Sequence, residues 1–498
     1  MQGKSALMAG AAAVALVMSA QAGLAGKGAS EGGSNSSSSQ ATSGPSNAEL
    51  AARIQALEDQ LQASELKVDN DHSRLSSLEQ NFNDTVWTFS NGRPIVTSGD
   101  KRFSMIFRVR FQSDFGAFMQ DDPTAAGNQA QYKDLGTGMV VRRAHLGVQG
   151  IAFKDFWYEF RYNMGGSDAE AAGLSLARVA YTGIPNFRIN VGVIEPAFMH
   201  EGTTSSSQLM FMERPEIDNI AADVFGAGDA RRGIELVWQK AGLFKPDDNL
   251  VLMTALTGSA TGSATGHANG GDEQSQILGR LSYRFWNDGA SNAMFGVSAG
   301  HVLNSAGQGI RFRDRPQIRI NGDRLIDANF AAAKRATMYA FDGGININNF
   351  FLGGEYANFM PDVPGTSDDP EFHGWYVEGS WILTGETKGY TVSALNNEIG
   401  GWTGPKVANP FSLAGDSWGA WEVVARYSDT NLDWHRLSAS GTRGGKERII
   451  NLGINWYLNN QVRLGLYDQI VKVDKLNASY AQIGQDINVI GARLQFTN

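Results

Sequence analysis

Run after run of this chain sorts apolar and polar residues with a period of two, a pattern that only an extended strand produces. Over residues 103–114 one face carries Phe103, Met105, Phe107, Val109 and Phe111, and the other carries Ser104, Ile106, Arg108, Arg110, Gln112 and Asp114. In the same way Phe156, Tyr158, Phe160, Tyr162 and Met164 oppose Trp157, Glu159, Arg161 and Asn163, and Phe187, Ile189, Val191 and Val193 oppose Arg188, Asn190 and Gly192. The alternation returns over 277–285, 421–428, 450–456 and 490–496, and no helical segment is read between the strands. A soluble sandwich alternates too, so the decision rests on what the two faces are made of. Here the polar face holds Arg, Glu or Asn at nearly every step and the apolar face is heavy with Phe, Tyr, Trp and Leu, which suits a barrel whose outside meets lipid and whose lumen holds water. Segments start or stop at Trp375-Tyr376, Trp381, Trp421, Trp456-Tyr457 and Tyr467, as interfacial girdles require. Residues 88–498 number 411, enough for about 16 strands of about 10 residues, with short turns alternating with long loops. The expected fold class is all-β: a transmembrane antiparallel β-barrel of about 16 strands over residues 85–498, preceded by an N-terminal α-helical coiled coil.

The segments ahead of the barrel read differently. Residues 1–22 have the form of a secretory signal, with Lys4 as the positive region, an apolar stretch over 6–18 and a small-residue cleavage site at Ala20-Gln21-Ala22. Residues 23–47 collapse to Gly, Ser, Ala, Asn and Thr and form a flexible linker. Over 48–84, Leu50, Ile54, Leu57, Leu61, Val68, Leu75, Leu78 and Phe82 fall on spacings of four and three, with Ser64 and Asp71 as polar exceptions. That is a heptad seam along a rod of roughly 50 Å, and its natural partner is another copy of itself, in the periplasm and as a trimer. The alternative is an amphipathic helix packed on its own domain.

Composition excludes several chemistries. The chain has no cysteine, so a disulfide framework, a thiolate zinc site, an iron–sulfur cluster and a cysteine nucleophile are all ruled out. Its formal charge of −9 argues against nucleic acid as a partner. Gly28-Ala29-Ser30-Glu31-Gly32 and Gly415-Asp416-Ser417-Trp418-Gly419 fit a short hydrolase pattern but lack the strand-to-helix setting of a nucleophile elbow. No His-Glu-x-x-His spacing or Walker loop occurs. The expectation is therefore no enzyme, no cofactor and no metal.

Five stretches carry a resemblance: Phe351-Leu352-Gly353-Gly354-Glu355-Tyr356; Gly374-Trp375-Tyr376-Val377-Glu378-Gly379-Ser380-Trp381-Ile382-Leu383-Thr384-Gly385-Glu386; Gly419-Ala420-Trp421-Glu422 leading to Ala425-Arg426-Tyr427-Ser428; Leu452-Gly453-Ile454-Asn455-Trp456-Tyr457; and Ala492-Arg493-Leu494-Gln495-Phe496. With Arg142-Arg143-Ala144-His145-Leu146 and Phe211-Met212-Glu213-Arg214, they resemble the phosphate-selective porins called O and P over roughly residues 100–498. The resemblance implies a homotrimer of 16-stranded barrels in the bacterial outer membrane, narrowed by inward-folded loops and lined by arginines that draw in phosphate-like anions. Arg142 and Arg143 match the arginine pair at the constriction of such porins. Neighbours in a regular strand point to opposite faces, so either the chain is bulged there and both reach the lumen, or one is a rim residue. His145 stands where the family commonly has an aromatic, and the chain ends Thr497-Asn498 beyond Phe496 instead of on an aromatic.

Arg311, Arg313, Arg315, Arg319 and Arg324, with Asp314 and Asp323, give one short stretch a charge of +3. If it is extended, Arg311, Arg313 and Arg315 share a face. Guanidinium stays charged and presents a fork of donors to tetrahedral oxyanions, and rows of weak sites permit both entry and exit. These residues resemble the family's arginine ladder; the alternative is a solvated loop pairing with lipopolysaccharide phosphates or nearby carboxylates. Residues 195–232 resemble the constriction loop, while by themselves they read only as a long polar connection. The expected function is passive conduction of phosphate, polyphosphate or similar anions, with Arg142, Arg143, Arg311, Arg313, Arg315 and Arg319 lining the pore. Expected partners are outer-membrane lipid and lipopolysaccharide, two further copies of the chain and, through the coiled coil, peptidoglycan or another envelope component. A tether with a non-selective pore, or a same-fold porin for another solute, are the alternatives.

Overall fold

The computed structural model describes residues 46–90, 92–120, 133–166, 172–260, 273–366, 368–392 and 399–498. The signal segment and nearly all of the linker lie outside the described residues.

Helix α1 (Asn47–Asn83) covers the heptad segment. Its start is a reciprocal cap: Glu49 N–H donates to Ser46 Oγ and Ser46 N–H to the Glu49 carboxylate, both at 3.2 Å. The seam residues Leu50, Ile54, Leu57, Leu61, Val68, Leu75 and Leu78 are 43–64% exposed, an unpartnered apolar stripe on one chain.

The second part of the chain is a closed barrel. After a hairpin of β1 (Val86–Ser90) and β2 (Arg93–Thr97) come β3 (Ser104–Gln120), β4 (Gly138–Ala152), β5 (Phe156–Asn163), β6 (Gly173–Tyr181) and β7 (Phe187–Ile194). A connection with two helices, α2 (His200–Thr203) and α3 (Glu216–Phe225), leads to β8 (Arg231–Ala241), β9 (Asn249–Ala260), β10 (Ser275–Asn287) and β11 (Asn292–Asn304). The hairpin β12 (Ile310–Asp314) and β13 (Ile326–Phe330) precedes β14 (Arg335–Ile347), β15 (Phe350–Asp362) and β16 (Phe372–Ile382). A second small hairpin, β17 (Lys388–Tyr390) and β18 (Trp402–Pro405), precedes β19 (Ala420–Trp434), β20 (Thr442–Tyr457), β21 (Val462–Asp474) and β22 (Asp486–Thr497). The sixteen strands β3–β11, β14–β16 and β19–β22 pair antiparallel with their neighbours, and β22 closes on β3 through pairs such as Gly491 with Gly116. Closure removes the sheet edges, the condition for strands to cross lipid. No described helix is long and apolar enough to cross a membrane.

The alternation sorts as expected. On β3 Phe111 and Phe115 face out while Arg110, Gln112 and Asp114 are buried within; on β22 Leu494 and Phe496 are exposed and Arg493 and Gln495 are buried. Outward aromatics stack at strand ends, as Phe350 on Trp381 at 5.5 Å and Trp421 on Trp456 at 5.0 Å do. Between strands, one end of the barrel has mostly short connections, such as 153–155 and 348–349, and the other has the long loops, the pattern of periplasmic turns and extracellular loops. The exception is 383–419 at the short-turn end, which enters the lumen: Trp402 packs on Phe351 at 5.1 Å, Tyr390 Oη lies 3.0 Å from Ser282 Oγ, and Lys388 Nζ is 2.7 Å from Glu422 Oε1 in a buried pair.

Two expectations are corrected. Helical segments do interrupt the strands, and 195–232 is not simply a polar connection. In it Phe198, Met199, Leu209, Phe211, Ile217, Ile220, Ala221 and Phe225 are 0–1% exposed and fill the barrel. Pro215 precedes α3 and Gly226, at φ 74°, ends it in the left-handed cap that glycine favours. Ile217, Ile220, Ala221, Val224 and Phe225 form its buried stripe; each large side chain so buried contributes about 1.5–3 kcal/mol. The wall makes room with glycine. A Cβ on Gly374 would sit 2.5 Å from Ile217 Cγ2, and one on Gly491 2.7 Å from Ile318 Cδ1 and 2.8 Å from Met212 Sδ.

Candidate functional site

Between β4 and the inward connection lies a cavity of about 1500 Å3. The Arg142-Arg143 pair enters it through a bulge. Gln112 of β3 pairs with Arg143 and Ser113 with Val141, so Arg142 is the extra residue and both side chains turn inward. Of the two readings available from sequence, the bulged one holds.

Glu213, which follows Phe211 and Met212 in the connection, is the hub of the constriction. Arg142 Nε lies 2.8 Å from its Oε1, Arg143 Nη1 at 3.0 Å and Arg493 Nη2 at 3.1 Å. Arg493 also forks onto Asp114, with both contacts at 2.7 Å, and Arg143 donates to Gln112 at 3.0 Å. One carboxylate thus fixes the connection to β4 and β22. A turn away, Arg110 donates to the hydroxyls of Ser206 at 2.5 Å, Ser205 at 2.8 Å and Ser207 at 3.1 Å, all neutral partners. Arg214 donates to the Glu201 and Thr204 carbonyls at 2.6 and 2.7 Å.

The arginine-rich stretch divides. Arg315 and Arg319 lie past the end of β12 and line the cavity with Arg324. Asp314 lies 3.8 Å from Arg319 and 3.3 Å from Arg324. Arg315, 3% exposed, has no hydrogen-bond partner at Nε, and burial together with Arg319 and Arg324 pushes its guanidinium down to about 10, still protonated at neutral pH. Arg311 and Arg313 share the exposed face of β12, as the spacing predicts, but do not line the cavity: Arg311 forks onto Asp327 of β13 and Arg313 lies 4.0 Å from Asp223. Pairing with nearby carboxylates, the alternative read from sequence, applies to these two.

Of the other lining residues, Arg108, Arg110 and Arg161 stand on polar strand faces, and Arg214 and Arg232 lie in the segment 195–232 that resembles the constriction loop, while Arg93 and Arg178 carry no signal by spacing. Among the described residues the cavity is lined by twelve arginines and Lys406 against five carboxylates, a net of +8 in a chain of formal charge −9. His145 lies among them, with Nδ1 unpartnered. In the second hydrolase-like stretch, Ser417 Oγ donates to the Asn409 carbonyl at 2.8 Å.

A closed sixteen-stranded barrel with an apolar outer band and a polar lumen narrowed by its own connections is an outer-membrane porin. More narrowly, the chain belongs to the family of phosphate-selective porins O and P, whose model matches residues 107–497. Porin O of Pseudomonas aeruginosa is 24% identical over 433 residues, covering 79% of this chain and 88% of that protein. An uncharacterised protein of Caulobacter vibrioides is 26% identical over 417 residues, covering 81% and 76%. Among solved structures, the anion-selective porin from Comamonas acidovorans matches at 12% identity and a TM-score of 0.46, covering 80% of this chain and 100% of that one.

Proposed function

We propose that this porin conducts anions passively, with phosphate as its preferred substrate, and that Arg142, Arg143, Arg315 and Arg319 are waypoints of the path. The observation that carries the reading is the reversal of sign: an acidic chain concentrates a net +8 on the lining of one cavity. A focused positive potential raises the local concentration of anions and repels cations. Arg315 has guanidinium charge not neutralised by a bonded carboxylate and Arg110 offers donors beside the hydroxyls of Ser205, Ser206 and Ser207, so a tetrahedral oxyanion finds charge-assisted donors at more than one position. In a tenfold potassium chloride gradient the reversal potential takes the sign of chloride permeation; a cation-selective potential would overturn the anion reading.

Arg311 and Arg313 have the smaller part. Each is half-exposed and faces a carboxylate, and such surface pairs contribute little. Substituting both by alanine changes the phosphate concentration that half-blocks chloride current by less than about threefold. A larger loss would place them on the main path.

The proposed assembly is a homotrimer in which three copies of α1 form a periplasmic coiled coil. Its support is the seam of exposed leucines on α1, which three strands would bury. Deleting residues 23–84 leaves single-channel current intact and lowers the thermal stability of the trimer. Loss of current would give the helix a place in the pore, and damage to envelope integrity alone would favour the tether.

A further inference from the structure

His200 and Glu201 of α2 and Glu378 of β16 stand outside the lining of the cavity. Their donor atoms lie within 4.8 Å of one another, and the three residues are 1–2% exposed. His200 Nδ1 and Glu378 Oε1 have no hydrogen-bond partner among the described residues, and Glu201 Oε2 is met only by the Arg426 ion pair at 3.2 Å. A buried polar atom left unpaired is costly, and His200 Nδ1 and Glu378 Oε1 in one buried cluster with Glu201 ask for a common partner.

The surrounding charges say what sign that partner has. Arg280 forks onto Asp342 at 2.6 and 2.9 Å. Arg426 holds Glu378 Oε2 at 2.6 Å and approaches Glu201 Oε2 at 3.2 Å; its other bonds go to the Glu213 carbonyl and Gln317. Arg214 donates to backbone carbonyls. Glu355 accepts from the N–H groups of His200 and Glu201 and from Tyr376 Oη, while both oxygens of buried Asp218 are unpartnered. Five carboxyl groups (Glu201, Asp218, Asp342, Glu355 and Glu378) thus crowd around three guanidiniums, more acidic groups than the arginines can pair one to one, so a partner that binds there is a cation.

We propose that His200, Glu201 and Glu378 bind a divalent cation that fastens α2 of the constriction to β16 of the barrel wall. One imidazole nitrogen with carboxylate oxygens is a donor set that suits zinc. Tetrahedral bonds of 2.0–2.1 Å place donors about 3.4 Å apart, so the glutamate side chains close in slightly on the ion. Gly202, next in α2, does line the cavity and has no side chain to bar the approach; a Cβ there would stand 3.6 Å from Asp218 Oδ1. Arg426 keeps Glu378 Oε2 and leaves Oε1 to the ion. The role is structural, setting how firmly the constriction is held, and it does not depend on which anion the pore prefers.

The test uses the full-length porin in detergent, stripped with a chelator and dialysed against zinc. The expected result is about one zinc ion per chain by elemental analysis, with nitrogen and oxygen neighbours and imidazole scattering in X-ray absorption. His200→Gln and Glu378→Gln each weaken binding at least about tenfold, while Arg311→Ala binds as the parent does. Retention of the compact, unheated gel mobility shows that each variant is folded. Less than stoichiometric zinc in the folded parent overturns the proposal, as does binding that survives both substitutions; the carboxylates are then balanced by protons and arginine alone. Should the variants fail to fold, the stoichiometry and absorption spectrum of the parent decide.

Discussion

Replacing Glu213 with glutamine unseats the constriction. Arg142, Arg143 and Arg493 converge on this one buried carboxylate, and its neutralisation leaves guanidiniums buried without enough counter-charge. Breaking a buried ion pair by removing one partner costs about 3–5 kcal/mol. The Glu213→Gln porin should therefore unfold at a lower temperature and show flickering single-channel current where the parent is steady. An unchanged transition and quiet current would mean that the packing of α3 holds the connection by itself. The same carboxylate sets an acid limit. Burial alone would raise it, but Arg142, Arg143, Arg319 and Arg493 hold it well below the usual carboxylate range. Its stabilisation is complete above the ordinary glutamate value of 4.5 and is lost only as pH falls through the lower folded value. Steady current in the parent should persist at pH 4.5 and fail only in stronger acid.

Substituting Arg315 and Arg319 together by alanine removes the second large effect, phosphate affinity. These two arginines bring charge to the cavity from the loop side, and Arg315 has no carboxylate bonded to it. A hydrogen bond to a charged group contributes about 1.5–3 kcal/mol, so losing even one such contact to phosphate raises the half-blocking concentration by roughly 10- to 100-fold. The substitution also opens the path, so chloride conductance at saturating salt rises or stays level while selectivity falls. Equal block in parent and variant would move the binding step to Arg110, Arg142 and Arg143.

The wall of this porin was legible because lipid and water demand opposite chemistry on alternate residues, as Phe111 and Gln112 show. The loops were not, because their apolar residues face a lumen already closed by the wall, where no period of two applies. Even so, Pro215, the stripe from Ile217 to Phe225 and Gly226 spell α3 within a connection otherwise rich in polar residues. At Arg142 and Arg143 the residue types posed the question and only the offset between Gln112 and Ser113 answered it. Charge was read more readily than its neutralisation. Arg311 and Arg313 looked equivalent to Arg315, yet their partners Asp327 and Asp223 come from a facing strand and from α3, which spacing cannot reveal. The role of Glu213 was hidden for the same reason, since its arginines arrive from β4 and β22. The lumenal hairpin of β17 and β18 is wholly a tertiary feature, with short strands of mixed character.

On this reading the positive lining binds phosphate on the conduction path. Its most direct test is single-channel current of the purified porin in a planar bilayer with chloride as the carrier, while phosphate is titrated in. Low phosphate should block the chloride current in a saturable way, with a reversal potential on the anion side. Current that ignores phosphate, or that prefers cations, would contradict it.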